Sequence, residues 1–131
     1  VDHVLGGYPI DVILLVKDLD RARKFYSEGL ELALIEGNDT TLSFRCGGTR
    51  LKLSLSTTGT KDEQTQASWR VDDVRAAVAW LRSRGIEPQE YDTDEIKTTD
   101  GVADAGDAWV AWIMDPDANV LGIEQKKPSN A

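Results

Sequence analysis

The chain of 131 residues has room for one domain, and its 40% hydrophobic content is enough for an ordinary globular core. No apolar run approaches the roughly 20 residues of a membrane span, and the N-terminal stretch has no basic segment followed by a long apolar one, so neither a membrane partner nor an export signal is expected. With 23 acidic against 15 basic residues the net charge is −8; this repels phosphate backbones, excludes nucleic acid as an expected partner, and suits a neutral or cationic small molecule better.

The only histidine, His3, sits in a loose N-terminal stretch and cannot build a multi-histidine metal site. Residues 10–16, IDVILLV, are too few for a buried helix and rich in β-branched types, which predicts a strand covered on both faces. Asp18 is a good N-cap for a helix with Leu19, Ala22, Phe25 and Tyr26 on one face, and Gly29 is the expected left-handed stop. Three short β-type runs follow at residues 32–35, 40–46 and 50–56, the last two joined by a Gly47-Gly48 hairpin turn. Cys46 precedes that turn. As the only cysteine it has no internal disulfide partner and no neighbouring histidine to activate it, so a reducing, cytoplasmic setting is expected and a nucleophilic role is not.

The polar stretch STTGTKDEQTQ reads as a linker. The pattern then restarts: a strand at ASWRV, Asp73 as a cap, a Val74, Ala77, Val78, Leu81 stripe at helical spacing, and Gly85 as its end. A strand around residues 88–91, an aperiodic segment at 92–107, a strand at 108–114, the turn Asp-Pro-Asp-Ala-Asn and a strand at 120–125 complete the second half. The 92–107 segment is either a loop that closes over a ligand on its two glycines or a disordered acidic loop. KKPSNA reads as a frayed tail.

Superposed with an offset of 55 residues, LLVKDLDRARKFY and SWRVDDVRAAVAWL align Val16 with Val71, Asp18 with Asp73, Leu19 with Val74 and Ala22 with Ala77. The sequence is therefore an internal repeat of a strand-helix-strand-strand-strand unit. With the Phe25-Tyr26 pair and the DPDAN turn before the last strand, the chain resembles the vicinal oxygen chelate superfamily, which includes glyoxalase I, extradiol dioxygenases and bleomycin-resistance proteins. The resemblance implies an α+β fold in which two βαβββ units form a curved mixed sheet around a concave cavity, with helices on the outer face. It implies one glyoxalase-like domain over 1–131, with repeat units at about 9–56 and 66–125, and a homodimer. The scaffold hosts isomerases, lyases, dioxygenases and plain binding proteins, so the fold leaves the chemistry open.

Metal-dependent members carry one ligand early in the first strand and one in the last strand of each unit. By that resemblance the four positions are Asp11, Lys52, Gln66 and Gly122. One carboxylate, one amide, one ammonium and a glycine are a poor donor set for Zn, Ni, Fe or Mn. Glu124, two residues beyond Gly122, points the same way and is the alternative for the last position. No metal and no cofactor are expected. Lys52 either replaces the metal as the partner of Asp11 in a buried ion pair, or both side chains reach solvent.

Trp109 and Trp112 are an odd number of positions apart, so at most one of them lines the cavity; Trp69 and Val71 share the parity of the helix side, which leaves Gln66, Ser68 and Arg70 for the cavity. Arg70 is either a carboxylate clamp or a strand-surface charge. The candidate ligand-facing set is Asp11, Ile13, Lys52, Ser54, Gln66, Ser68, Arg70, Trp109, Trp112, Gly122 and Glu124. The expected function is metal-independent binding of a small organic molecule, as in antibiotic sequestration. The alternatives are a glyoxalase- or dioxygenase-type enzyme with a divalent metal, and a metal-free lyase or isomerase using Asp11 or Glu124 as base.

Overall fold

A computed structural model describes residues 5–60 and 64–128. The expectations for His3 and for the last residues of the tail lie outside the described residues. The chain divides into two compact units, Val1–Lys61 and Asp62–Ala131, so the boundary falls within the polar stretch that reads as a linker.

In the first unit a 3-10 turn, Leu5–Gly7, precedes β1 (Asp11–Val16), α1 (Leu19–Arg23), a π-helical turn (Lys24–Gly29), β2 (Ala33–Gly37), β3 (Thr41–Cys46) and β4 (Thr49–Leu55). The sheet order is β1-β4-β3-β2, with β1 parallel to β4 and the other pairs antiparallel. The second unit contains β5 (Thr65–Arg70), α2 (Val74–Ser83), β6 (Thr98–Thr99), β7 (Val102–Asp104), β8 (Ala108–Met114) and β9 (Val120–Lys126), in sheet order β5-β9-β8-β7-β6. Each unit is thus strand, helix, three strands, with a parallel first-to-last pair at one edge. The second adds the two-residue β6.

The repeat is reproduced down to its caps. Asp18 and Asp73 hold nearly the same extended backbone, φ −143° and −146°, and each carboxylate accepts from the N–H three residues on, of Arg21 and of Ala76. Those N–H groups belong to the first helical turn and have no partner within the helix, which is why Asp recurs at an offset of 55. Each helix then covers one face of its own sheet, α1 over β3 and β4 and α2 over β8 and β9. Under α1 lie Leu14, Val16, Leu42, Phe44, Leu51 and Leu53 with Ala22 and Tyr26; under α2 lie Val74, Val78 and Leu81 with Ala111, Ile113, Leu121 and Ile123, all of them buried. The hairpin at Gly47-Gly48 forms as expected, with Cys46 paired to Thr49 and Gly47 at φ +56°. Gly85, at φ +79°, ends α2.

Four expectations are corrected. Strand β1 is covered on one face only: Leu14 and Val16 are buried, whereas Ile13 and Leu15 are 57% and 37% exposed. A continuous apolar run suggests two-sided cover, but β1 is an edge strand with its helix layer on a single side. Gly29 is not the left-handed stop. The chain widens into the π-helical turn, the Leu30 N–H reaches the Phe25 carbonyl at 2.9 Å, and the left-handed residue is Glu31 at φ +57°. No strand forms at residues 88–91; the next strands are β6 and β7, inside the segment expected to be a lid or a disordered loop. Alternating apolarity could not reveal strands of two and three residues, yet Val102 and Ala103 are buried and Ala103 pairs with Val110 of β8.

Candidate functional site

Each sheet has a second face, turned away from its helix, and strand register assigns residues to it. In the second unit Trp112, Gly122 and Ser68 are direct neighbours across β8, β9 and β5, and Val110, Glu124 and Arg70 form the adjoining row. The opposite parity belongs to the helix side. Gln125, which accepts from the Val74 N–H at the start of α2, is paired with Trp109, and Trp109 lies beneath the Arg75 guanidinium of α2 at 5.8 Å and the Lys127 ammonium at 5.3 Å. Trp109 therefore leaves the candidate set, and of the two tryptophans it is Trp112 that occupies the helix-free face. Lys127 also binds Asp104 at 2.7 Å, and this contact, with the Gly106 N–H, holds the Asp104 carboxyl below its ordinary range.

Gln66 is also displaced. A bulge between Thr65 and Ala67 places two residues of β5 against one of β9, so strict alternation breaks at position 66. Thr65 takes the helix-free face instead, and its Oγ1 accepts from Trp112 Nε1 at 3.2 Å. That bond runs from β8 to β5, so the indole lies across the width of β9, on the face where Gly122 carries no side chain. A Cβ at position 122 would lie 2.9 Å from Ser68 Oγ and 3.3 Å from Thr65 Cγ2. A side chain at 122 would press on Ser68 and Thr65, and the Ser68 hydroxyl would have to turn away to admit it.

Tyr91, which sequence reasoning missed, closes one side of the indole. Its ring lies 5.4 Å from that of Trp112 at 90°, the edge-to-face arrangement that aromatic quadrupoles favour. The Gln89 N–H donates to the Trp112 carbonyl at 2.7 Å, tethering this segment to β8. Residue spacing gives no signal for either Thr65 or Tyr91, because one depends on a bulge and the other on a chain segment outside the sheet.

In the first unit the helix-free face carries Asp11, Ile13 and Leu15 of β1, Arg50, Lys52 and Ser54 of β4, and Ser43 of β3. Asp11 and Lys52 share that face but form no ion pair. Lys52 is aligned with Ile13 and with the buried Ser43, whereas Asp11 is aligned with Arg50, whose guanidinium binds Glu36 at 3.3 Å. The buried-pair reading of Lys52 is therefore withdrawn. Lys52→Ala is expected to cost about 1 kcal/mol or less, the scale of an exposed charge with some stem packing; a urea midpoint showing several kcal/mol lost would restore the buried pair.

The four positions that the resemblance assigns to a metal offer it a poor set of donors. Asp11 and Lys52 bring one carboxylate and one cation to the first unit, Gln66 donates its Nε2 to the Gln64 carbonyl, and Gly122 has no donor. Among the described residues no three His, Cys, Asp or Glu side chains cluster as a metal site. A groove of about 410 Å³ in the first unit, between the start of α1 at Asp18 and the β2–β3 turn at Asn38 and Asp39, contains none of the candidate residues. Its charged rim is exposed and lacks the convergent buried polar groups of a built site.

The Glyoxalase/Bleomycin resistance protein/Dioxygenase superfamily model matches residues 1–123. Among solved structures, a glyoxalase family protein from Bacillus anthracis superposes with a TM-score of 0.72 at 16% identity, over 92% of this chain and 95% of that one. TnmS3, an antibiotic binding protein from Streptomyces sp. CB03234, superposes with a TM-score of 0.68 at 24% identity, over 95% and 100%. A glyoxalase/bleomycin resistance protein/dioxygenase from Alicyclobacillus acidocaldarius gives 0.67 at 16%, over 92% of each chain. No curated protein matches the chain. At these identities the structural likenesses establish the fold alone.

Proposed function

The chain belongs to the Glyoxalase/Bleomycin resistance protein/Dioxygenase superfamily, and on that premise we propose that it binds and sequesters a small organic molecule without a metal ion. The observation that carries this reading is the row Trp112, Gly122, Ser68: where metal-dependent members resemble one another in carrying a donor, this chain has a glycine beneath an indole pinned to Thr65. An aromatic wall with hydroxyl, carboxylate and guanidinium groups beside it, from Ser68, Glu124 and Arg70, suits a planar ligand with a few polar substituents. Asp11, Ile13, Lys52 and Ser54 occupy the equivalent helix-free face of the first unit, a polar and apolar mixture that suits the same class of ligand. The likeness to TnmS3 supports binding rather than turnover.

The protein works as a homodimer in a reducing cytoplasm. The exposed apolar Leu15 on edge strand β1 favours a protein neighbour, and a lone cysteine suits that compartment. Among the described residues no helix is long and apolar enough to cross a membrane.

Elemental analysis after dialysis without chelator is expected to find no stoichiometric Zn, Ni, Fe or Mn. Titration with bleomycin-type glycopeptides, aromatic antibiotics and the glutathione hemithioacetal of methylglyoxal is expected to give saturable tryptophan quenching by a compound recovered unchanged, and Trp112→Leu to abolish that signal. One tightly held metal per chain would replace sequestration by the metal-dependent enzyme reading, and turnover of the hemithioacetal above a blank by the metal-free protein would replace it by the lyase or isomerase reading with Asp11 or Glu124 as base.

A further inference from the structure

The segment carrying Tyr91 is held by a polar clasp of its own. The Tyr91 N–H donates to Thr98 Oγ1 at 2.8 Å, and the Thr98 N–H returns a bond to the Tyr91 carbonyl at 2.9 Å. The Thr98 hydroxyl donates to Glu90 Oε1 at 2.6 Å, and the same oxygen accepts from the Gly101 N–H at 2.9 Å. Gly101, at φ +80°, lies so close to Pro88 that a Cβ there would be 2.4 Å from Pro88 Cγ, so the two ends of the clasp meet across a position that only glycine fills. Thr98 is the residue on which these bonds converge: one hydroxyl both accepts from Tyr91 and donates to Glu90. With the Gln89 bond to Trp112, these bonds fix the backbone on both sides of Glu90, next to the tyrosine–indole contact.

We propose that Tyr91, set in place by Thr98 and Glu90, determines specificity by limiting the width of the ligand that Trp112 accepts. The inference rests on the ligand-binding reading above and goes beyond it by naming the filter and its support. Tyr91 touches the ligand; Thr98 and Glu90 are positioning residues that act through it. On this inference a wide planar ligand stacking on the indole must displace the tyrosine from its edge-to-face contact, and a narrow one need not.

Two measurements test this, one of them without ligand. In protein labelled with 5-fluorotryptophan, the Trp112 resonance is identified by its loss in Trp112→Phe. Thr98→Val is expected to move that resonance while leaving those of Trp69, Trp80 and Trp109 in place, and Thr98→Ser, which keeps the hydroxyl, to restore it. An unmoved Trp112 signal in Thr98→Val, or equal movement of all the signals, would overturn the clasp. The second measurement compares dissociation constants of benzamidine, a single-ring cation, and proflavine, a planar three-ring cation, by calorimetry. Tyr91→Ala is expected to shift their ratio by about threefold to tenfold toward proflavine, the scale of one aromatic pair, and Tyr91→Phe to leave it unchanged. It decides the matter even where Thr98→Val fails to fold. Binding with an unaltered ratio in Tyr91→Ala would refute the filter and leave the ligand-binding reading standing. Failure of both probes to bind the wild type would remove the filter together with that reading, while the fluorine shifts still decide the clasp.

Discussion

Phe44→Ala is expected to lower the unfolding free energy by about 3 to 5 kcal/mol, the range for truncating a buried aromatic. Phe44 is fully buried in the middle of β3, with Leu34 of β2 on one side and Leu51 of β4 on the other. Its ring lies 6.0 Å from that of Tyr26, also fully buried, which in turn meets Phe25 edge-on at 5.1 Å. The tyrosine belongs to the π-helical turn, so this aromatic stack is what seats the end of α1 on the sheet. The space left by Phe44 cannot collapse readily, because both neighbouring strands are fixed by ladder bonds and the turn above is already widened. Urea unfolding gives the test. A midpoint shift worth less than 1 kcal/mol at unchanged slope would show that Tyr26 repacks into the gap, and would remove the stack as the anchor of the helix.

What the sequence revealed and what it hid divide along a physical line. The two capped helices, the hairpin at Gly47 and the strands around the DPDAN turn are local events, written in cap chemistry, left-handed glycine and period-two alternation. The second helix, the hairpin and the strands formed within a residue or two of their expected bounds, and the first helix starts at its expected cap but widens into the π-helical turn from Lys24. The family resemblance and the two-unit α+β fold rest on those features and hold with them. The candidate site depends instead on which residues meet across strands. The family resemblance put Asp11 and Lys52 in one half-site as possible partners, but register aligns Asp11 with Arg50 and Lys52 with Ile13. An extra residue in β5 exchanged Gln66 for Thr65, and nothing in the run TQASWR marks where a bulge falls. The choice between Trp109 and Trp112 needed the position of α2, which a repeat of spacing does not contain. Tyr91 and Thr98 were invisible for the same reason: their bond connects two segments that form almost no regular structure.

Asp115→Ala, at the head of the DPDAN turn, is expected to cost about 3 kcal/mol, although the residue is in a turn and carries a charge. Asp115 is buried, and its Oδ1 accepts from the N–H groups of Asp117 and Asn119 at 2.9 and 2.8 Å, while Oδ2 accepts from Asn119 Nδ2 at 2.8 Å. The backbone closes around it: the Asp115 N–H reaches the Asn119 carbonyl and the Ala118 N–H reaches the Asp115 carbonyl, both at 3.0 Å, with Ala118 held in the left-handed region at φ +63°. One carboxylate therefore organises the turn between β8 and β9, the strands that carry Trp112 and Gly122. Alanine would take the acceptor from the N–H groups of Asp117 and Asn119 and from the amide of the fully buried Asn119, and a buried donor deprived of its acceptor costs about 1 to 3 kcal/mol. Asparagine at 115 keeps one oxygen but turns an NH2 group toward another donor, so Asp115→Asn should lose about half as much. Thermal unfolding should show Asp115→Ala melting about 10 °C below the wild type, and the Trp112 fluorescence should shift with it, because the β8–β9 register aligns the indole with Gly122. A variant that melts with the wild type and keeps its tryptophan spectrum would show that the backbone bonds alone define the turn, and that the buried carboxylate contributes nothing to the placement of the indole.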